Sequence, residues 1–393
     1  MKPWLKRSAM ILGVCCVAFL LLESLLLLFN DSVFRSAFYV FDPDLGFRVR
    51  SYATYGNDKA NEFGFNDRDY PHSRSDNTFR ILFLGDSFNW MGGLEKNYTA
   101  LVENLFEEKF GSGKVEVICG GYSQTHTGEQ LTLLKKFGLL YNPDIVLLAV
   151  FAGNDFFDAD PLRFRIAFGG GMTDVFAGRD YYAVILGQPL IFRSRLALYV
   201  QEKWRSRKRS LRSERNTSEA GSSEESTLEP VLTSIQPLND YYLRSLYLRT
   251  QFNRPDHSGD FAPNVDLICD SVVAMQTLLS TRGVEFGVAV FPDEIQVDSN
   301  VRKAFLSHYQ VDLSDFEWNR AQTILHELCS ERGILIFDLY SEFLEATQSG
   351  AKLYLPNNGH WNDAGNELAA KYFFKTLDVK VRAALGLAQS GNQ

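Results

Sequence analysis

Three short stretches of this chain carry residue types that can act together on a carbonyl carbon. Gly85-Asp86-Ser87 follows the apolar run 79–84. Its glycine permits a sharp turn, and a serine hydroxyl lifted at the start of the next helix is a candidate nucleophile, with helix N-terminal amides favouring developing negative charge. The same residues also suit a simple helix cap, where Asp and Ser are favoured. Ala152-Gly153-Asn154-Asp155 follows the apolar run 144–151. The Asn154 amide offers a donor to an oxyanion without adding charge, or turns the loop. Cys119-Gly120-Gly121-Tyr122-Ser123-Gln124 is a glycine-bearing turn whose backbone N–H groups could serve the same oxyanion.

A serine nucleophile needs a general base, and histidine is the usual one. The chain has His72, His126, His257, His308, His326 and His360. His72 and His257 lie in polar, turn-rich stretches, His308 has no supporting context, and His326 sits inside a helical pattern. His360 belongs to the turn 355–365 that leads into the last amphipathic stretch. A loop there can fold back over a sheet edge toward Ser87, which makes His360 the favoured base.

The elements that must position these residues are visible as alternation. Apolar runs at 79–84, 115–118, 144–151, 285–291 and 334–338 are separated by helical candidates near 97–110, 127–140, 264–282, 314–332 and 362–377. Near-continuous apolar strands joined by amphipathic segments predict an α/β fold with a parallel sheet covered on both faces. In such sheets ligands bind beyond the carboxyl ends of the strands, where Ser87, the Gly120-Gly121 turn and Asn154 all fall.

This ordered set resembles the SGNH (GDSL-like) hydrolase family from about residue 79 to 377. Asn61-Glu62-Phe63-Gly64-Phe65-Asn66-Asp67 is similar to a segment that precedes the hydrolase domain in membrane-anchored bacterial members. The resemblance implies a three-layer α/β/α, flavodoxin-like fold with a five-stranded parallel sheet. It implies Ser87 as nucleophile, His360 as base, and an oxyanion hole made by amides at Ser87 and Gly121 or Gln124 with the Asn154 side chain. It implies no metal and no organic cofactor. Two departures stand out. The family's usual aspartate three residues before the histidine is Asn357 here, whose amide oxygen can orient the ring but brings no charge. The nearest replacement carboxylates are Asp363 and Asp293. In the second turn, Gln124 stands where a further glycine is frequent and Cys119 where an asparagine is frequent.

A formal net charge of −8 argues against nucleic acid as a partner. Five cysteines are too few and scattered for a disulfide framework, at most one bridge being available to Cys119, Cys269 and Cys329. Residues 9–29 are apolar apart from Glu23 and Ser24 and reach roughly 31 Å as a helix, enough to cross a bilayer core. Lys2, Lys6 and Arg7 precede them, so the expected topology has residues 1–8 cytoplasmic, an uncleaved single-pass anchor at 9–29 and the rest outside, periplasmic in a Gram-negative cell. The expected organisation continues with a stalk or cap at 30–78, the hydrolase domain at 79–380 with a disordered, charged insertion at 203–235, and a flexible tail at 381–393. The expected substrate is an acylated, in particular O-acetylated, cell-envelope or exported glycan, or another ester. Acyl transfer by the same Ser-His site, or glycan binding without catalysis, are the alternatives.

Overall fold

The five apolar runs pair into one parallel sheet. In the computed structural model, which describes residues 2–29, 33, 37–56, 58–75, 77–169, 171–185, 187–191, 193–200, 204, 207 and 237–387, the strands are β1 (Phe79–Gly85), β2 (Val115–Gly121), β3 (Ile145–Phe151), β4 (Glu285–Phe291) and β5 (Leu335–Asp338). Their spatial order is β2-β1-β3-β4-β5, every neighbouring pair parallel. The helices that matter here are α1 (Pro3–Leu28), α2 (Tyr98–Phe110), α3 (Thr127–Lys136), α4 (Asp240–Thr250), α5 (Ala262–Ser280), α6 (Arg320–Arg332) and α7 (Asp363–Ala384).

Strand periodicity explains why the runs read as continuously apolar. Ile81 and Phe83 pack with Val102 and Phe106 of α2 and Phe373 and Leu377 of α7. Leu82 and Leu84 are equally buried and point to the opposite face, which is the side of α3 and α5, helices that contact one another. With both faces covered few strand positions face solvent, the exposed Glu285 at the start of β4 being one, and each fully buried apolar side chain contributes roughly 1.5–3 kcal/mol. The expected α/β fold with a five-stranded parallel sheet flanked by helices is the observed one.

Several boundaries differ from expectation. The segment expected as a helix from 314 begins its helix only at Arg320, because Leu313–Asp315 is a separate 3-10 turn with Asp312 and Asp315 capping each other's backbone. α7 runs on to Ala384 with an apolar stripe through Phe373, Leu377 and Val381. Helix α4 was not expected; Asn239 caps it by accepting from Tyr242 N.

The chain divides into two compact units. One comprises Met1–Arg50 and Leu162–Ile235, the other Ser51–Pro161 and Gln236–Gln393. In the first, α1 contains an 18-residue stretch of mean hydropathy 2.7 and is long and apolar enough to cross a membrane, consistent with a signal anchor or a signal peptide. The hairpins Arg163–Phe168 with Gly171–Phe176 and Tyr182–Ile185 with Gln188–Ile191 complete it, around Ile166, Phe168, Val175 and Ile191. Of the expected insertion 203–235 only residues 204 and 207 are described, and residues 388–393 of the tail also lie outside the described residues.

The second unit holds the sheet, and residues 58–75 belong to it. Asn61 organises that stretch: its Oδ1 accepts from Phe63 N and Phe65 N, while its Nδ2 donates to the Tyr141 hydroxyl. Phe63 stacks on Phe137 beside it. All five cysteines are free thiols.

Candidate active site

Ser87 begins a 3-10 turn, Ser87–Asn89, directly after β1. Asp86 caps the turn by accepting from Phe88 N at 3.1 Å. A Cβ on Gly85 would lie 2.7 Å from Asn89 Oδ1, so glycine is needed for the tight reversal. The expected helix start at Ser87 is not there. The next long helix after β1, α2, begins only at Tyr98, so Ser87 does not stand at the N-terminus of an extended helix. The turn is instead held by side-chain amides and an indole: Asn89 Nδ2 donates to Gly120 O at 2.6 Å, Trp90 Nε1 to Gly121 O at 3.1 Å, and Asn97 Nδ2 to Phe88 O at 2.8 Å. Asn66 supports it from the preceding segment, donating to Trp90 O at 3.0 Å. Sequence reasoning did not single out Asn89 or Asn97; their only signal was an amide residue in an otherwise apolar or aromatic context.

His360 comes from the loop before α7. Leu355 N donates to His360 O at 2.8 Å and Tyr354 bridges to Trp361, which closes the loop. Asn362 caps the helix that follows by accepting from Gly365 N. The loop places His360 Nε2 2.7 Å from Ser87 Oγ, with the imidazole against the Phe88 ring at 5.1 Å between centroids. His326 pairs with Asp338 and His72 with Glu62, away from Ser87.

The place expected for Asn357 is taken by its neighbour. Asn358 Oδ1 lies 2.5 Å from His360 Nδ1. Asn357 is turned away, its Oδ1 accepting from Asn239 N at 2.7 Å. The physical reason is local: Asn357 and Gly359 both have left-handed backbone, φ +55° and +83°, and the reversal sends the two asparagine side chains in different directions. Neither replacement carboxylate is on the ring. Asp363 pairs with Lys96, and Asp293 with Arg249. With an amide oxygen at Nδ1, the neutral ring carries its proton there and leaves the Nε2 lone pair for the serine hydroxyl.

Electrostatics keep that ring neutral. Burial, reinforced by the Arg249 guanidinium and opposed by the Asp293 carboxylate, pushes His360 down to about 4. Arg249 is itself buried and gripped in two places by Asp293, Nε to Oδ2 at 2.6 Å and Nη2 to Oδ1 at 2.7 Å. Asp86, whose Oδ2 is 3.3 Å from Ser87 Oγ, is pushed up to about 6, chiefly by burial, against the pull of the Phe88 and Ser87 amides.

Ser87, Asn154, Asn358 and His360 share one cavity of about 250 Å³, walled by Phe151, Phe157, Asp158, Ser245, Leu248, Arg249 and Gly359. Asn154 Nδ2 donates to Asp158 Oδ2 at 2.8 Å, and its second N–H is available to a ligand; its Oδ1 is buried without a hydrogen-bond partner. Gly121 ends β2 in register with Gly85 and has φ +140°. Gln124 is exposed, with φ +72°, and neither it nor Gly121 is among the lining residues. The structure thus joins Ser87, Asn154 and His360, keeps Gly121 at the same sheet edge, and leaves Gln124 and Asn357 outside the cavity. Among the described residues no group of three or more His, Cys, Asp or Glu is placed to hold a metal ion.

No family model and no curated protein matches this chain. Solved structures do. The chain is similar to the acetyl xylan esterase AlAXEase (14% identity, 76% of this chain and 100% of that one, TM-score 0.41), to a G-D-S-L family lipolytic protein of Desulfitobacterium hafniense (12%, 76% and 100%, 0.34), and to the lipase/acylhydrolase of Enterococcus faecalis (12%, 77% and 97%, 0.39). These neighbours are SGNH/GDSL-like hydrolases. At such identities the likeness is one of fold, and the chemistry of this chain is read from its own residues.

Proposed function

We propose that this protein is a serine esterase that cleaves ester-linked acyl groups, O-acetyl among them, from a cell-envelope or exported glycan. The observation that carries the reading is the 2.7 Å contact between Ser87 Oγ and His360 Nε2 on the floor of a cavity that also presents the Asn154 amide. His360 Nε2 takes the hydroxyl proton as Ser87 Oγ bonds to the ester carbonyl carbon. The oxyanion that forms accepts from the free Asn154 N–H and from the backbone amide at Ser87. His360 returns the proton to the leaving alcohol as the C–O bond breaks, and water then repeats the sequence on the acyl-enzyme. Each oxyanion donor of this kind contributes roughly 100- to 1,000-fold to the rate. The apolar helix α1, with Lys2, Lys6 and Arg7 before it, supports an extracytoplasmic site.

Transfer of the acyl group to a sugar hydroxyl uses the same residues and differs only in what replaces water. The test is turnover of 4-nitrophenyl acetate together with labelling by a fluorophosphonate. Both are expected from the wild-type protein and neither from Ser87→Ala or His360→Ala of unchanged fold. A folded wild-type protein inert in both assays would leave a glycan-binding role instead.

A further inference from the structure

Within the unit that contains α1, a short helical stretch at 195–200 is tied to that helix through Glu23. Glu23 Oε1 accepts from Leu196 N at 3.1 Å and from the Ser194 hydroxyl, and its Oε2 accepts from Arg195 N at 3.0 Å. A carboxylate inside an apolar span is costly unless its oxygens are hydrogen-bonded. Here the donors come from the start of the second segment. Glu23 stands five residues before the end of α1 at Leu28, which is about 8 Å along the helix axis. With α1 across a bilayer, residues 194–200 lie at the depth where acyl chains meet headgroups.

This stretch has two faces. One packs on the hairpins: the Arg195 guanidinium lies over the Phe168 ring at 4.3 Å, and Leu198 packs against the cluster of Ile166, Phe168, Val175 and Ile191. On the other, Leu196, Ala197 and Val200, with Trp204 beyond them, line an apolar groove whose opposite wall is Phe19 of α1. Leu196, Val200 and Trp204 recur at four-residue spacing, the spacing of one helical stripe. Val200 and Trp204 are 57% and 65% exposed. Residues 203–215 then carry seven Lys or Arg and one Glu.

We infer that residues 194–204 are a membrane-surface element that docks on anionic lipid beside α1. The stripe of Leu196, Val200 and Trp204 enters the boundary between headgroups and acyl chains, and the basic stretch that follows meets the lipid phosphates. Two observations select the bilayer as the occupant. The groove is continuous with the span itself through Phe19, and an apolar stripe ending in tryptophan and running into a basic stretch matches an interface that is apolar below and anionic above. The inference goes beyond the esterase reading and needs only that α1 spans the bilayer.

Resistance of the full-length protein to extraction from vesicles by alkaline carbonate checks that requirement. Release would overturn the inference and leave the esterase reading to its own assay. Tryptophan fluorescence in bilayers of lipid brominated near the headgroup end of its chains tests the docking. Trp4 and Trp204 are the exposed tryptophans of this unit, so Trp204→Phe should remove about half of the quenching. Trypsin cleavage of the wild-type protein within 203–215 tests the lipid charge. It should be roughly five- to tenfold slower on bilayers containing phosphatidylglycerol than on phosphatidylcholine alone at low salt, and the gap should close at high salt. Quenching that Trp204→Phe leaves unchanged overturns the docking and gives the face to a protein, a second copy of this chain if the reconstituted protein cross-links as a dimer. Equal cleavage on the two bilayers overturns the assignment to anionic lipid.

Discussion

Asn358 Oδ1 sits 2.5 Å from Nδ1 of His360, in the position where a serine hydrolase ordinarily holds a carboxylate. The contact fixes the tautomer and the ring plane but would supply no charge to the imidazolium formed in the proposed attack by Ser87. In the proposed mechanism, activation of Ser87 therefore rests on alignment and on a ring kept neutral by burial.

Asn358→Asp is expected to raise kcat/KM for an activated ester at pH 7 by on the order of tenfold or more, because the carboxylate stabilises the imidazolium. Asn357→Asp, one residue earlier, should change it little, since that side chain faces Asn239. Steady-state kinetics on the two variants distinguish the positions. A gain from the Asn357 variant without one from the Asn358 variant is incompatible with the loop geometry.

The pH profile follows from the lowered basicity of His360. The base must be unprotonated, so activity is lost as pH falls through the folded value, about 4. The kcat/KM of the wild-type protein should hold across the range in which an ordinary histidine, near 6.5, would already be protonated. In Asn358→Asp the acid limb should move upward, toward neutrality. A wild-type limb near 6.5 would contradict the burial argument.

Arg249 and Asp293 form a buried bidentate pair whose partners depend on each other. Replacing one alone, as in Asp293→Asn or Arg249→Met, strands a buried charge or its donors and should cost about 3–5 kcal/mol. Replacing both with apolar residues should recover part of that. Urea unfolding of the single and double variants measures the coupling, and additive losses would mean that the pair is not energetically linked.

Gly121→Ala tests the join between the second turn and the nucleophile loop. A Cβ there would lie 2.0 Å from Gly85 O, in a backbone with φ +140°. Separation of β1 from β2 at their ends should follow, with a loss of roughly 1–3 kcal/mol in stability and a larger proportional loss of kcat than of KM, since Trp90 Nε1 hangs from Gly121 O. A variant with normal kinetics and stability would remove Gly121 from any part in the site.

Much of the candidate site is legible in the chain. Ser87, Asn154 and His360 each follow or precede an element whose apolar pattern announces it, and residues at the carboxyl ends of parallel strands converge on one edge. Asn89 and Asn97, which tie the nucleophile turn to β2 and to Phe88 O, were not legible, because a hydrogen bond from a side-chain amide to a particular carbonyl leaves no periodic trace. Asn66 fell within the recognised segment before β1, yet nothing in it pointed to Trp90. The 3-10 turn at Ser87 is not distinguishable in the sequence from the start of a helix for a related reason: Asp and Ser cap either structure equally well.

By itself, the sequence determined the parallel sheet and the order in which its loops deliver a serine, an amide and a histidine. Five predominantly apolar runs, with few polar positions on either face, are stable only when covered on both sides, and that condition is written in the residues. Only the tertiary structure decided which asparagine meets His360, because two left-handed residues in one loop select Asn358 over Asn357. It alone joined Arg249 to Asp293 across 44 residues and set Asp158 beside Asn154 on the cavity wall. Those choices depend on distances between elements, which no local pattern of the chain encodes.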